Sequence, residues 1–177
     1  MAAAVSIGSG VKIRLAIVSN EQTPYRLHLH RRIVHECPDI ELFSVFTHDV
    51  ASSPWSQREA AEINPVLFGS GDASASQSSL YRAPHEWVKG GAVIGWMERQ
   101  KIGAVVLLGY NDAGRLRILR WCNERGIPCF LFGDSNILCD TSEGLRHFVK
   151  SAVVSRVIEA CAGVLHCGKL GREYFLR

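Results

Sequence analysis

No stretch of this 177-residue chain approaches the ~20 consecutive apolar residues that a bilayer crossing requires. Charge of either sign is not in large excess. A net +3 tolerates anionic ligands but is far from the basic balance that nucleic-acid binding calls for, so no nucleic-acid partner is expected. The six cysteines (Cys37, Cys122, Cys129, Cys139, Cys161, Cys167) contain no C-x-x-C pair and no zinc spacing. They read as reduced thiols of a cytoplasmic protein, with Cys129 and Cys167 in buried strands. The chain has no P-loop, no nucleophile elbow and no internal repeat. Gly8-Ser9-Gly10 precedes a strand instead of following one, and the loop after the first strand has no glycine. Both facts argue against a tightly held dinucleotide. The opening residues have no positive n-region, so residues 1–10 are expected to be a disordered leader.

At 47% apolar and 21% charged, the rest reads as one globular domain able to bury about 70% of its unfolded surface. The informative run is 102–136. Ala104 to Leu108 is a continuous apolar stretch, too short for a helix. Asp112 to Arg125 carries the helical stripe Ala113, Leu116, Ile118, Leu119 and Trp121, closed by Gly126, and Ile127 to Phe132 is a second apolar run. Lys12 to Val18 predicts a first strand. Thr23-Pro24 opens a helix reaching Cys37, with Leu27, Leu29, Ile33 and Val34 as its apolar contacts. Ile40 to Phe46 is a second strand and 65–68 a short third, followed by a mobile surface loop over Gly69 to Ser79. Helices are expected over Pro84 to Gln100, with Trp87, Val88, Val93, Ile94 and Met97 apolar, and from Thr141-Ser142-Glu143 to Cys161. Gly163 to Cys167 is a sixth strand, and Gly168 leads into a last helix. Alternating strands and helices with apolar strands give an α/β, doubly wound parallel sheet of Rossmann-like type.

In such sheets ligands bind beyond the carboxyl ends of the strands. The polar residues there are Asn20 and Glu21 with Gln22 and Thr23, then His48 and Asp49, Tyr110 with Asn111 and Asp112, and Asp134, Ser135 and Asn136. Helix capping is the plain alternative for Asp112. Gly168 and Lys169 stand between a strand and a helix, where a phosphate could rest. His28, His30 and His35 with Arg26, Arg31 and Arg32 read as a solvated basic face. Leu145 to Arg156 is a basic amphipathic stretch, with Leu145, Phe148, Val149, Ala152 and Val153 apolar. It fits packing on the sheet, and it also permits peripheral contact with an anionic membrane face.

Thr23-Pro24-Tyr25-Arg26, Gly109-Tyr110-Asn111, the run RGIP-x-x-L-x-GDSN ending at Asn136, and the terminal GVLHCGKLGREYFLR together resemble the N-terminal half of GT-B nucleotide-sugar glycosyltransferases of group 1, or family 4. The resemblance spans residues 11–177. It implies an acceptor-binding half of a retaining enzyme in which a separate C-terminal domain binds the nucleotide sugar, with no metal and no resident cofactor. It implies a glycan, lipid or small-molecule acceptor and a cytoplasmic enzyme, for which the basic amphipathic stretch permits peripheral contact at the inner membrane face. By position, Asn20 to Tyr25 would form the loop facing the cleft, and Asn111 with Asp134, Ser135 and Asn136 would contact acceptor or donor sugar. From its location, Asp134 would accept a hydrogen bond from an acceptor hydroxyl or orient it for attack. Many relatives carry a histidine where Gly133-Asp134 stands. No donor domain lies within these residues, so this half is expected to be inactive alone. A stand-alone Rossmann-like binding module without catalysis is the alternative.

Overall fold

The computed structural model describes residues 12–49, 61–133 and 144–176. The leader at 1–10, Asp134, Ser135, Asn136 and the helix start at Thr141-Ser142-Glu143 lie outside them. Six strands form one parallel sheet: β1 (Ile13–Ser19), β2 (Ile40–Phe46), β3 (Pro65–Leu67), β4 (Ala104–Leu108), β5 (Cys129–Gly133) and β6 (Gly163–His166). Their spatial order is β3-β2-β1-β4-β5-β6, all parallel. This is the doubly wound Rossmann-type order, and its direction reverses between β1 and β4. Strands β1, β2 and β4 are buried along most of their length, which is why they read as unbroken apolar runs.

The helices are α1 (Pro24–Glu36), α2 (Ala83–Arg99), α3 (Ala113–Arg125), α4 (Gly144–Ala160) and α5 (Gly168–Phe175). Asp112 caps α3 by accepting from the Arg115 N–H at 2.8 Å, and Gly126 ends it in the left-handed conformation at φ 66°. Helices α2 and α3 cross almost backbone to backbone. A Cβ on Gly90 would lie 2.7 Å from Gly114 Cα, and one on Gly114 would lie 2.5 Å from the Glu86 carbonyl.

Several expectations change phase or place. On α1 the inward stripe is Leu27, His30, Ile33 and Val34, while Leu29 is exposed. His30 is thus no part of a solvated basic face. Its Nδ1 meets Ser44 Oγ at 2.8 Å, it stacks on Phe46, and burial lowers its pKa to about 4, with the Arg26 charge adding to the shift. Among the described side chains of α4, Val154 and Val157 are buried, whereas Phe148 and Val153 are exposed. Adjacent Val153 and Val154 let the stripe be read one residue out of phase. Trp87 and Val88 on α2 are likewise exposed, while Val93 and Met97 are buried.

Cys167 is exposed at the start of α5, outside the strand expected to bury it, while Cys129 is buried as expected. Cys122, Cys129 and Cys161, distant in sequence, line one shallow recess at the opposite end of the sheet from the polar rim. Burial there pushes the Cys161 thiol up to about 12. No helix among the described residues is long and apolar enough to cross a membrane.

Candidate functional site

The loops after β1 and β4 meet where the strand order reverses. They enclose a cleft of about 340 Å³ walled by Asn20, Tyr25, Arg26, Gln77 and Asn111 over a floor of Leu108, Gly109 and Phe132, with Cys167 at its side. That volume is at the low end of small-molecule sites, which run from about 300 to 1,000 Å³. Gly109, at φ 85°, turns the chain out of β4 so that Asn111 reaches the wall. A larger recess of about 430 Å³ lies at the opposite end of the sheet, beside the start of β3 and the end of α2. Its wall, which includes Phe43, Asn64 and Trp96, carries no titratable group among the described residues.

Arg26 anchors the near wall. Its Nη1 donates to Asn20 Oδ1 at 2.5 Å and to the Glu21 carbonyl at 3.0 Å, and its guanidinium lies over the Tyr25 ring. Tyr25 itself is 61% exposed. Around this wall several buried polar atoms have no hydrogen-bond partner among the described residues: Ser19 Oγ, Gln22 Oε1, Thr23 Oγ1, Arg26 Nε, and Nε and Nη2 of Arg115. Buried polar groups are almost always satisfied, and these sit on the β1 end, the loop after it, and the start of α1 and α3. Thr23 occupies the N-cap of α1 with extended backbone, yet its hydroxyl makes no capping bond.

A second cluster stands behind the cleft at the end of β2. Lys89 Nζ donates to Asp72 Oδ2 (2.7 Å), Glu86 Oε1 (3.1 Å) and the Thr47 carbonyl (3.0 Å), matching the three donors of an ammonium. The Thr47 hydroxyl donates to the Ser19 carbonyl at 3.1 Å, so it is left to accept from His48 Nδ1 at 2.9 Å. The His48 lone pair is then on Nε2, 3.4 Å from Lys89 Nζ. Burial, followed by the Lys89 charge, lowers the His48 pKa, with Glu86 opposing. Asp72 loses some solvation, but hydrogen bonds from Lys89 and Arg82 hold its carboxyl below the usual range. Asp72, His85 and Glu86 place three possible metal-ligand atoms within 4.8 Å of one another. The Lys89 ammonium already pairs with both carboxylates there, and Arg82 pairs with Asp72 as well.

The sequence-predicted residues therefore divide. Asn20, Tyr25 and Asn111 share the cleft wall. Glu21 is buried behind it and accepts from the Ser74 hydroxyl at 2.7 Å, while Gln22 and Thr23 flank it with unpartnered oxygens. His48 is fully buried in the ionic cluster, and Asp112 serves as the α3 cap and partner of Arg115. Tyr110 packs against the core, its hydroxyl 3.5 Å from that of Tyr174. Gly168, at φ 66°, and exposed Lys169 begin α5 directly after Cys167. The stretch read as a mobile loop instead brings Asp72, Ser74 and Gln77 onto the rim through two short 3-10 turns and an ion pair.

Reasoning from sequence missed Arg26, Asp72, Gln77, Glu86, Lys89 and Arg115. One signal was available: Glu86, Lys89, Val93 and Met97 fall on a single helical stripe, so the first two share the buried face of the last two. No protein-family model matches the chain, and no curated protein matches it.

Proposed function

We propose that the chain is the acceptor-binding half of a retaining GT-B glycosyltransferase, receiving a hydroxyl-bearing acceptor in the cleft between the β1 and β4 loops. The observation that carries this reading is the meeting of Asn20 and Asn111 on one wall at the strand-order reversal. Their amides, with that of Gln77, offer donors and acceptors suited to a ring of hydroxyls, and the exposed Tyr25 ring offers a flat apolar face. In this reading Asp134, just past β5, accepts the acceptor's proton. The sugar comes from a nucleotide sugar held by a second lobe, which also stabilises the leaving diphosphate. A cytoplasmic location with contact at the inner membrane face goes with it, since Phe148 (72% exposed) and Val153 stand out from α4.

The test has two arms. A protein extended through the downstream reading frame is assayed for hexose transfer across a broad panel of donors and acceptors, beside residues 1–177 alone. Amide spectra of the 177-residue chain are recorded with neutral polyols and with uridine diphosphate. Transfer by the longer protein, with polyol shifts at Asn20 and Asn111, supports the reading. No transfer across the panel, or shifts at those amides from the nucleotide alone, removes it.

A further inference from the structure

Two arginines hold the amides of the cleft wall by their oxygens. Arg26 Nη1 and the Glu21 N–H both donate to Asn20 Oδ1, at 2.5 and 3.0 Å. Arg115 Nη1 donates to Gln77 Oε1 at 3.4 Å. A guanidinium and a main-chain N–H can only donate, so each amide must turn its oxygen toward them. Exchanging oxygen and nitrogen would set donor against donor. Asn20 Nδ2 and Gln77 Nε2 make no hydrogen bond among the described residues. Neither is among the buried unpartnered atoms, so both are open on the cleft wall.

Both clamps are themselves fixed. Arg115, 2% exposed, pairs with Asp112, whose Oδ1 also accepts from the Arg115 main-chain N–H. Gln77 is tied down at its main chain, where its N–H donates to the Ser74 carbonyl at 3.2 Å, and Ser74 Oγ donates to buried Glu21 at 2.7 Å. Arg26 lies over Tyr25 and donates to the Glu21 carbonyl. Exposed Asn111, with no hydrogen bond among the described residues, keeps both donor and acceptor to offer. Asn20, Gln77 and Arg26 have only donors left.

We propose that Arg115 is a positioning residue of the cleft. With Arg26 it locks the wall amides nitrogen-outward, so that Gln77 and Asn20 bind a polyol through the lone pairs of its oxygens and not through their hydrogens. This rests on the acceptor reading and narrows it to one sense of hydrogen bond at these two positions. A ligand oxygen there can lose its hydrogen and still bind, but it cannot be replaced by a bare carbon.

The probes are glucose and myo-inositol, with their singly deoxygenated and singly deoxyfluorinated analogues. Fluorine keeps lone pairs but carries no hydrogen, and a deoxy carbon has neither. Dissociation constants are measured from the Asn20, Gly109 and Asn111 amide shifts of the 177-residue chain. At one ring position or more, the deoxy analogue is expected to bind about fivefold more weakly than its parent, the loss of one neutral hydrogen bond, and the fluoro analogue about twofold or more tighter than the deoxy. Gln77→Glu keeps one oxygen on Arg115 and turns the other into the cleft, so the fluoro advantage at the position Gln77 meets should vanish. Arg115→Met frees the Gln77 amide to turn and should shrink the same advantage, while Arg115→Lys supplies a donor and should retain it. Thermal midpoints check that each variant folds, and where Arg115→Met does not, Gln77→Glu decides. Deoxygenation that weakens binding nowhere, fluoro analogues no better than deoxy wherever it does, or an advantage unchanged in Gln77→Glu overturns the inference and leaves the acceptor reading standing. No shift at those three amides with any probe removes both.

Discussion

Replacing Lys89 with methionine keeps the stem and removes the ammonium. Glu86, 2% exposed, and the Thr47 carbonyl then lose their donor, and Asp72 keeps only Arg82 and the more distant His85. Removing one partner of a buried ion pair costs about 3–5 kcal/mol, because the surviving charge stays desolvated. The pH dependence is the sharper readout. In the parent, burial and the Lys89 charge lower the His48 pKa, so the unfolded chain binds a proton more readily than the native state, and stability falls as pH drops below about 6.5. Without Lys89, Glu86 Oε1, 3.5 Å from His48 Nε2, favours an imidazolium in place of the lost ammonium, against burial and the Arg115 charge. The native variant then takes up the proton more readily than the native parent. The stability gap to the parent should therefore close as pH falls below 6.5, by at most about 1.4 kcal/mol per pH unit. Urea denaturation of both proteins at pH 7.5 and 5.5, with an imidazole titration by proton NMR, measures this. A gap below about 1 kcal/mol at pH 7.5, or one unchanged at pH 5.5, would refute the buried-network account.

His30 makes a parallel prediction. With its native pKa near 4 against an unfolded value near 6.5, it withdraws stability as pH falls through that window, up to about 3 kcal/mol in all. The deficit of His30→Gln relative to the parent should thus shrink by about 2 kcal/mol between pH 7 and pH 5, and parallel denaturation curves would contradict it. Two glycines of α2 should respond in opposite directions. Gly90→Ala drives a methyl into the Gly114 backbone and should cost about 1–3 kcal/mol. Gly95→Ala meets nothing closer than Arg99 Nη1 at 3.6 Å and should gain about 0.5–1 kcal/mol. Thermal midpoints, which move about 2–4 °C per kcal/mol at this chain length, separate the two.

The parallel sheet was legible because β1, β2 and β4 are covered on both faces, and such strands leave unbroken apolar runs. Helix edges were legible where chemistry marks them, at Pro24, Asp112 and Gly126. Phase was not, as Leu29 against His30 and Val153 against Val154 show. When two neighbouring positions can both face inward, the choice falls to tertiary contacts such as Ser44 on His30. The cleft was half legible. Asn20 and Asn111 stand at strand ends, where topology alone collects them. Gln77 reaches the rim by folding of the 69–82 stretch, which no local pattern encodes, and Arg26, in the first turn of α1, reads as one more surface cation until that turn is set against the cleft. Lys89 escaped for the further reason that a lysine inside a helix reads as solvated until its carboxylate partners are placed.

The crossing of α2 over α3 leaves no cushion of side chains at Gly90 and Gly114. A contact made by main chain on both sides cannot adjust by changing rotamer. The α2 turn bearing Glu86 and Lys89 is therefore locked in step with the α3 turn bearing Arg115. Anything that shifts the α3 start at the cleft must carry the acids and bases behind it as a single block.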